Sequence, residues 1–107
     1  MAFQIKAGDL KPDFQVTLND ETGAAEDLTS ATGVTLRYWL LDDAGPVVTK
    51  TAVVDDAATG QVSYSWVSGD TDVPGTYLCE WVVDYSGEDK TFPASGFESF
   101  EIYKKRT

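Results

Sequence analysis

The sequence predicts an all-β domain built as a sandwich or barrel. Apolar residues recur at every second position through most of the chain, the period of a strand with one face in a core. Six clusters rich in Gly, Asp and Pro interrupt those runs: NDETGAA (19–25), DDAGP (42–46), DDAATG (55–60), SGDTDVPG (68–75), YSGED (85–89) and PASG (93–96). Short alternating runs punctuated in this way are the pattern of a sandwich or barrel. No window of useful length shows the 3.6-residue period of an amphipathic helix.

The elements follow in order. The opening residues read as a short strand with Phe3 and Ile5 inward, then a loop. FQVTL sets Phe14, Val16 and Leu18 on one face against Gln15 and Thr17. AAEDLTSATG has room for one helical turn, while its DLT equally suits a short strand pairing. VTLRYWLL sets Val34, Leu36, Tyr38 and Leu40 against Thr35, Arg37, Trp39 and Leu41. PVVTKTAVV is β-branched and reads as a strand with weaker alternation. QVSYSWV aligns Val62, Tyr64 and Trp66. TYLCEWVVDY aligns Tyr77, Cys79, Trp81, Val83 and Tyr85 against a mixed face of Leu78, Glu80, Val82 and Asp84. FESFEIY closes the chain with Phe100 and Ile102 inward, and 103–107 is a short basic tail. The 107 residues, 42% hydrophobic and 12% aromatic, suit a single domain, 1–107, with one modest core.

Charge and composition narrow the function. Eighteen acidic residues against eight basic ones give a net charge of −10, and three of the eight are Lys104, Lys105 and Arg106. So acidic a body repels phosphate backbones, which argues against a nucleic-acid partner. The chain has no His, the commonest general base and metal ligand. Its one Cys excludes an internal disulfide. No apolar run reaches the length of a membrane span, and MAFQIKAGD lacks the apolar stretch of a signal peptide. The chain therefore reads as made and folded in a cytoplasm, without a membrane partner.

The segment GDTD invites a functional reading. Asp70 and Asp72, with Asp84 or Glu88, offer the oxygen ligands calcium takes, but the twelve-residue calcium-loop pattern is absent. A turn needs the same residues: Gly69 and Gly75 for permissive backbone, Pro74 to fix φ, and the Asp side chains to bond local amides. The turn is the simpler reading, and no metal site is assigned. Asp42–Asp43 and Asp55–Asp56 read as turns for the same reason. Acids are plentiful enough to supply a pair for glycoside hydrolysis, but nothing marks one pair and no nucleophile motif is present, so no catalytic residue is assigned. Cys79 sits on the most apolar face of the strongest strand and reads as a small buried hydrophobe. Trp66 and Trp81 fall on apolar faces and read as core. Trp39 falls on the opposite face from its apolar neighbours, with Leu41 next on that face. This is either an exposed protein–protein contact or two-sided burial. Lys104, Lys105 and Arg106 either form a solvated terminus or reach an acidic neighbour, making the ends of the molecule complementary for a ring or stack.

The order of these pieces resembles the immunoglobulin-like N-terminal domain of the tailed-phage baseplate upper protein and similar small stand-alone phage structural proteins. The residues carrying the resemblance are Asp27, Leu28 and Thr29; Gly60, Val62, Tyr64 and Trp66; Pro74, Gly75, Tyr77, Glu80 and Trp81; and an acidic hairpin ending at Phe92 and Pro93. They span nearly the whole chain, and their order is more telling than any one of them. The resemblance implies an immunoglobulin-like antiparallel β-sandwich of about seven to eight strands. It implies a non-enzymatic structural component of a phage virion, in baseplate, neck, tail or capsid, without a cofactor. Its partners would be other phage structural proteins and symmetric copies of itself. The baseplate domain is followed by a helical linker and further domains, whereas this chain ends at Thr107, which fits a small ring-forming or decorating protein better. A reading from another class is a carbohydrate-binding or adhesive module that recognises a host cell surface through an exposed aromatic platform.

Overall fold

The computed structural model describes residues 3–41 and 46–106, and its regular elements are eight strands. They are β1 (Phe3–Lys6), β2 (Phe14–Thr17), β3 (Gly33–Leu40), β4 (Val48–Asp56), β5 (Gln61–Tyr64), β6 (Gly75–Tyr85), β7 (Glu88–Phe92) and β8 (Glu98–Tyr103). No helix occurs among the described residues, so the DLT segment is a loop. The turn expected at 42–46 falls, up to Gly45, outside the described residues.

The fold is an immunoglobulin-like β-sandwich with strand order β1-β8-β6-β3-β4-β5-β2. The larger sheet holds β1, β8, β6, β7, β3 and the first half of β4, and the smaller holds the second half of β4, β5 and β2. β4 belongs to both. Val48–Ala52 pairs with β3, whereas Val53, Val54 and Asp56 pair with β5 across a bulge. A bulge bends its strand, and this bend carries β4 from one sheet to the other and closes that side of the sandwich. β8 pairs with Gly75–Cys79 and β7 with Trp81–Tyr85, so the two cover successive halves of the same side of β6.

One expectation is corrected. β1 runs parallel to β8, Phe3 beside Phe100 and Lys6 beside Tyr103, so the sandwich is not wholly antiparallel. The cause is the crossing loop after β1. Ala7 N–H donates to Tyr103 O (2.8 Å) and Gly8 N–H to Thr71 O (3.0 Å), which carries the chain over to the smaller sheet before β2 begins. β1 therefore forms no hairpin with β2 and lies along the far side of β8.

Alternation places the core as the sequence indicates. Val34, Leu36 and Tyr38 of β3 face Tyr77, Cys79, Trp81 and Val83 of β6, with Phe100 and Ile102 of β8 alongside; Phe14, Val62, Tyr64 and Trp66 oppose them from the smaller sheet. Each large apolar side chain withdrawn from water in this way contributes about 1.5–3 kcal/mol. The centre is aromatic: Phe14 and Trp66 stack with centroids 6.0 Å apart, and Phe100 lies 5.3 Å from Phe14 and 5.1 Å from Tyr77. Tyr77 also makes the tyrosine corner of this fold. Its hydroxyl donates to Val73 O (2.7 Å), and it stands two residues before Cys79.

Candidate functional site

The GDTD corner is a structural latch. Asp70 has a side chain only 6% exposed. Its carboxylate accepts from the Tyr64 hydroxyl (2.5 Å) and from Val67 N–H (2.9 Å), and it pairs with the Lys50 ammonium (3.1 Å). Lys50 stands beside Leu36 across the β3–β4 ladder, so its side chain starts from the core face and reaches the corner. Burial pushes the Asp70 carboxyl upward, but the Tyr64, Val67 and Lys50 donors outweigh it and hold the group below its ordinary value. The Tyr64 hydroxyl is pushed up, first by burial and then by the Asp70 carboxylate. Thr71 is completely buried; its hydroxyl donates to Asp9 O (2.8 Å) and accepts from Gly8 N–H (3.1 Å). Asp72 is exposed. Asp84 and Glu88 lie at the opposite end of the sandwich, where the Asp84 carboxylate caps Gly87 N–H of the β6–β7 turn (2.8 Å). The calcium grouping Asp70, Asp72, Asp84 and Glu88 is thus not brought together, and no acid-rich cluster with metal-holding geometry occurs among the described residues.

A second acid is consumed in the same way. Glu26, on the long β2–β3 connection, accepts from the Tyr85 hydroxyl (2.7 Å) and Lys90 Nζ (3.0 Å), pinning that connection to the β6–β7 hairpin. The Asp27 carboxylate accepts the Thr29 N–H (3.0 Å) and hydroxyl (2.8 Å), which fixes the turn that buries Leu28. Gly60 has φ +71°, and a Cβ there would stand 2.7 Å from Leu18 O and 2.8 Å from Glu26 O.

Cys79, Trp66 and Trp81 are buried, as the alternation indicates. Burial, with the Glu98 and Glu80 carboxylates adding to it, pushes the Cys79 thiol up to about 12. A thiol held protonated is a poor nucleophile.

Trp39 is half-buried on the outer face of the larger sheet. It stands opposite Leu78 of β6, and the Phe97 ring meets it edge to face at 4.9 Å and 90°. Phe97 is 54% exposed and Leu41, at the end of the same face, 49%. Beside them Arg37 and Glu80 form a cross-strand ion pair (2.9 Å). The structure therefore joins Trp39 and Leu41 to Leu78 and Phe97 in one apolar strip with a neutralised charge pair at its flank. Sequence reading missed Phe97. Its signal is a large aromatic directly after a Ser-Gly turn, at the head of FESFEIY and on the opposite parity from Phe100 and Ile102.

Lys104, Lys105 and Arg106 extend beyond β8 and are exposed, and Lys105 pairs with Asp9 (2.5 Å). The far end of the molecule is acidic. Asp20, Glu21, Glu26 and Asp27 lie in the β2–β3 connection, Asp55 and Asp56 at the end of β4, and Asp84, Glu88 and Asp89 about the β6–β7 turn, with Lys90 the one basic residue in those segments. Between the sheets, on the side away from β4, a cleft of about 280 Å³ is lined by Val16, Leu18, Trp81, Phe92, Pro93 and Glu98 among others. Trp81 Nε1, like Trp66 Nε1, is buried without a hydrogen-bond acceptor among the described residues.

Compared with known proteins, the chain matches no protein-family model and no curated protein.

Proposed function

We propose that the protein is a non-enzymatic structural component of a tailed-phage particle that acts through protein–protein interfaces. The observation that carries this reading is the strip of Trp39, Leu41, Leu78 and Phe97. Large aromatics with a balanced flanking charge pair, on the open face of an otherwise acidic domain, are the composition of an interface centre. The motifs of the phage resemblance support it in a second way. Asp27, Gly60, Tyr64, Tyr77 and Phe92 each make a turn, a corner or a core contact here, as residues do when a family preserves a scaffold.

The test is uptake onto purified particles that lack the protein, followed by size-exclusion chromatography with light scattering. Stoichiometric uptake is expected, with loss in Trp39→Ala and Leu41→Asp. A folded wild-type protein that no particle takes up would overturn the reading. The carbohydrate-binding alternative rests on the same ring pair, which meets at 90° rather than lying in one plane as a sugar platform does. Glycan-array binding lost in Trp39→Ala would establish it.

A further inference from the structure

Five strand edges are open among the described residues, and four carry charge. β1 has Lys6, the first half of β4 has Lys50, its second half has Asp55 and Asp56, and β7 has Glu88, Asp89 and Lys90. Charge on an edge resists the addition of a further strand. β2, with Phe14, Gln15, Val16 and Thr17, has none and pairs with β5 only. Leu18 N–H donates to Gly60 O (2.8 Å), which sets the phase of that ladder. Bonded pairs alternate in an antiparallel ladder, so the backbone groups of Gln15 and Thr17 face away from β5. Beside this edge lies the cleft with its apolar wall and Glu98.

We infer that this edge receives the basic tail of a second copy, Lys104–Arg106, so that copies join head to tail. Charge selects the partner. At −10 per chain two copies repel, and a twofold contact of two β2 edges brings no basic cluster to either copy, whereas a head-to-tail contact brings Lys104, Lys105 and Arg106 to an acidic body. Length agrees, because the outward backbone groups of Gln15 and Thr17 are matched by two residues two apart, such as Lys104 and Arg106. The Lys105–Asp9 pair that must open is exposed on both sides, and such pairs contribute little. Contacts of this kind close into a ring or continue as a stack. The inference deepens the assembly reading and rests on it in taking protein–protein contact as the function.

Light scattering across protein concentration, at low ionic strength and at ~1 M salt, tests it, since the screening length falls to about 3 Å at the higher value. The wild-type mass should rise at least about twofold above that of one chain at low salt and fall back at high salt. Joint reversal of Lys104, Lys105 and Arg106 to Glu should abolish the rise. Thr17→Pro, which removes an outward N–H, should do the same, as should Thr17→Lys, an exposed substitution that leaves the fold intact. A mixture of the tail-reversed and Thr17→Lys chains should form one-to-one pairs, since one retains the edge and the other the tail. A monomeric wild type at low salt, or association unaffected by both sets of variants, overturns the inference. Particle uptake by a monomer sinks head-to-tail joining and leaves the assembly reading standing. Association without uptake does the reverse.

Discussion

Replacing Asp70 separates a structural corner from a ligand site. In Asp70→Ala the Tyr64 hydroxyl, with its ring 6% exposed, and Val67 N–H both lose their acceptor, while Lys50, with its side chain 29% exposed, can turn toward water. Removing one partner of a buried, hydrogen-bonded charge pair costs about 3–5 kcal/mol, and the freedom of Lys50 places this case at the lower end. For a domain of this size that lowers Tm by roughly 12–25 °C, at about 4–8 °C per kcal/mol. Asp70→Asn keeps one acceptor and should cost about half as much, roughly 1.5–2 kcal/mol. Asp72→Ala, one turn residue away and exposed, should stay within about 0.5 kcal/mol of wild type. The sign with pH follows from the lowered carboxyl. The advantage of wild type over Asp70→Asn is fully present above the ordinary carboxylate value of 3.8 and is lost as pH falls through the lower folded value. Urea denaturation at pH 7 and pH 3 measures all three variants. Equal stabilities for Asp70→Ala and Asp72→Ala would refute the latch. A calcium-dependent rise in Tm that disappears in Asp70→Asn would restore the metal reading.

Three further outcomes follow from single contacts. Tyr77→Phe removes the corner bond to Val73 O and should cost about 1–2 kcal/mol in urea denaturation, with an unchanged midpoint counting against a tyrosine corner. Gly60→Ala places a Cβ against two backbone oxygens at a φ of +71° and should lose about 2 kcal/mol or more; a neutral result would mean the β4–β5 turn is free to move. Cys79, with its thiol raised to about 12, should react with a thiol reagent at pH 8 only as fast as the domain unfolds. Prompt reaction of the native protein would show that the strand opens locally.

Much of the fold was legible because alternation is a direct record of which face meets the core. Phe14, Leu36, Tyr38, Trp81, Phe100 and Ile102 could all be placed in that way. Strand direction leaves no such record, so the parallel pairing of β1 with β8 did not show in Phe3 and Ile5. β7 has no alternation to mark it. Glu88, Asp89 and Lys90 follow a Ser86–Gly87 turn with φ of 55° and 94°, the two-residue hairpin turn, and only the resemblance, with its acidic hairpin ending at Phe92 and Pro93, implied a strand there. Buried polar residues were harder still. Thr71, Asp70 and Glu26 have the composition of surface turns, and only tertiary contacts from Gly8, Lys50 and Tyr85 turn them into interior groups. The tyrosine corner of Tyr77 was not read from the sequence, because its partner, Val73 O, is a backbone atom that no side chain marks. On the surface, the face of Trp39 was readable by parity, whereas Phe97, which meets it from directly before β8, was not placed on it.

The charge distribution ties stability to assembly with opposite signs. Nine acidic side chains crowd the end made by the β2–β3 connection, the end of β4 and the β6–β7 turn, against Lys90. Part of that crowding is relieved locally. Asp20 and Asp27 accept hydrogen bonds from Thr22 and Thr29, which hold both carboxyls below their ordinary value, and Glu26 takes Tyr85 and Lys90. The rest is repulsion across exposed loops, which salt screens as the Debye length falls from about 30 Å at 0.01 M to about 8 Å at 0.15 M. The six ion pairs among the described residues oppose this, but most are exposed and contribute little. Tm should therefore rise with sodium chloride over that range, while head-to-tail association weakens. A scan of Tm and mass on the same samples separates the two effects. A Tm that falls with salt would mean that the pairs of Lys90 with Glu26 and Glu21 outweigh the repulsion, and that the acidic end is held by its ion pairs rather than strained by its charge.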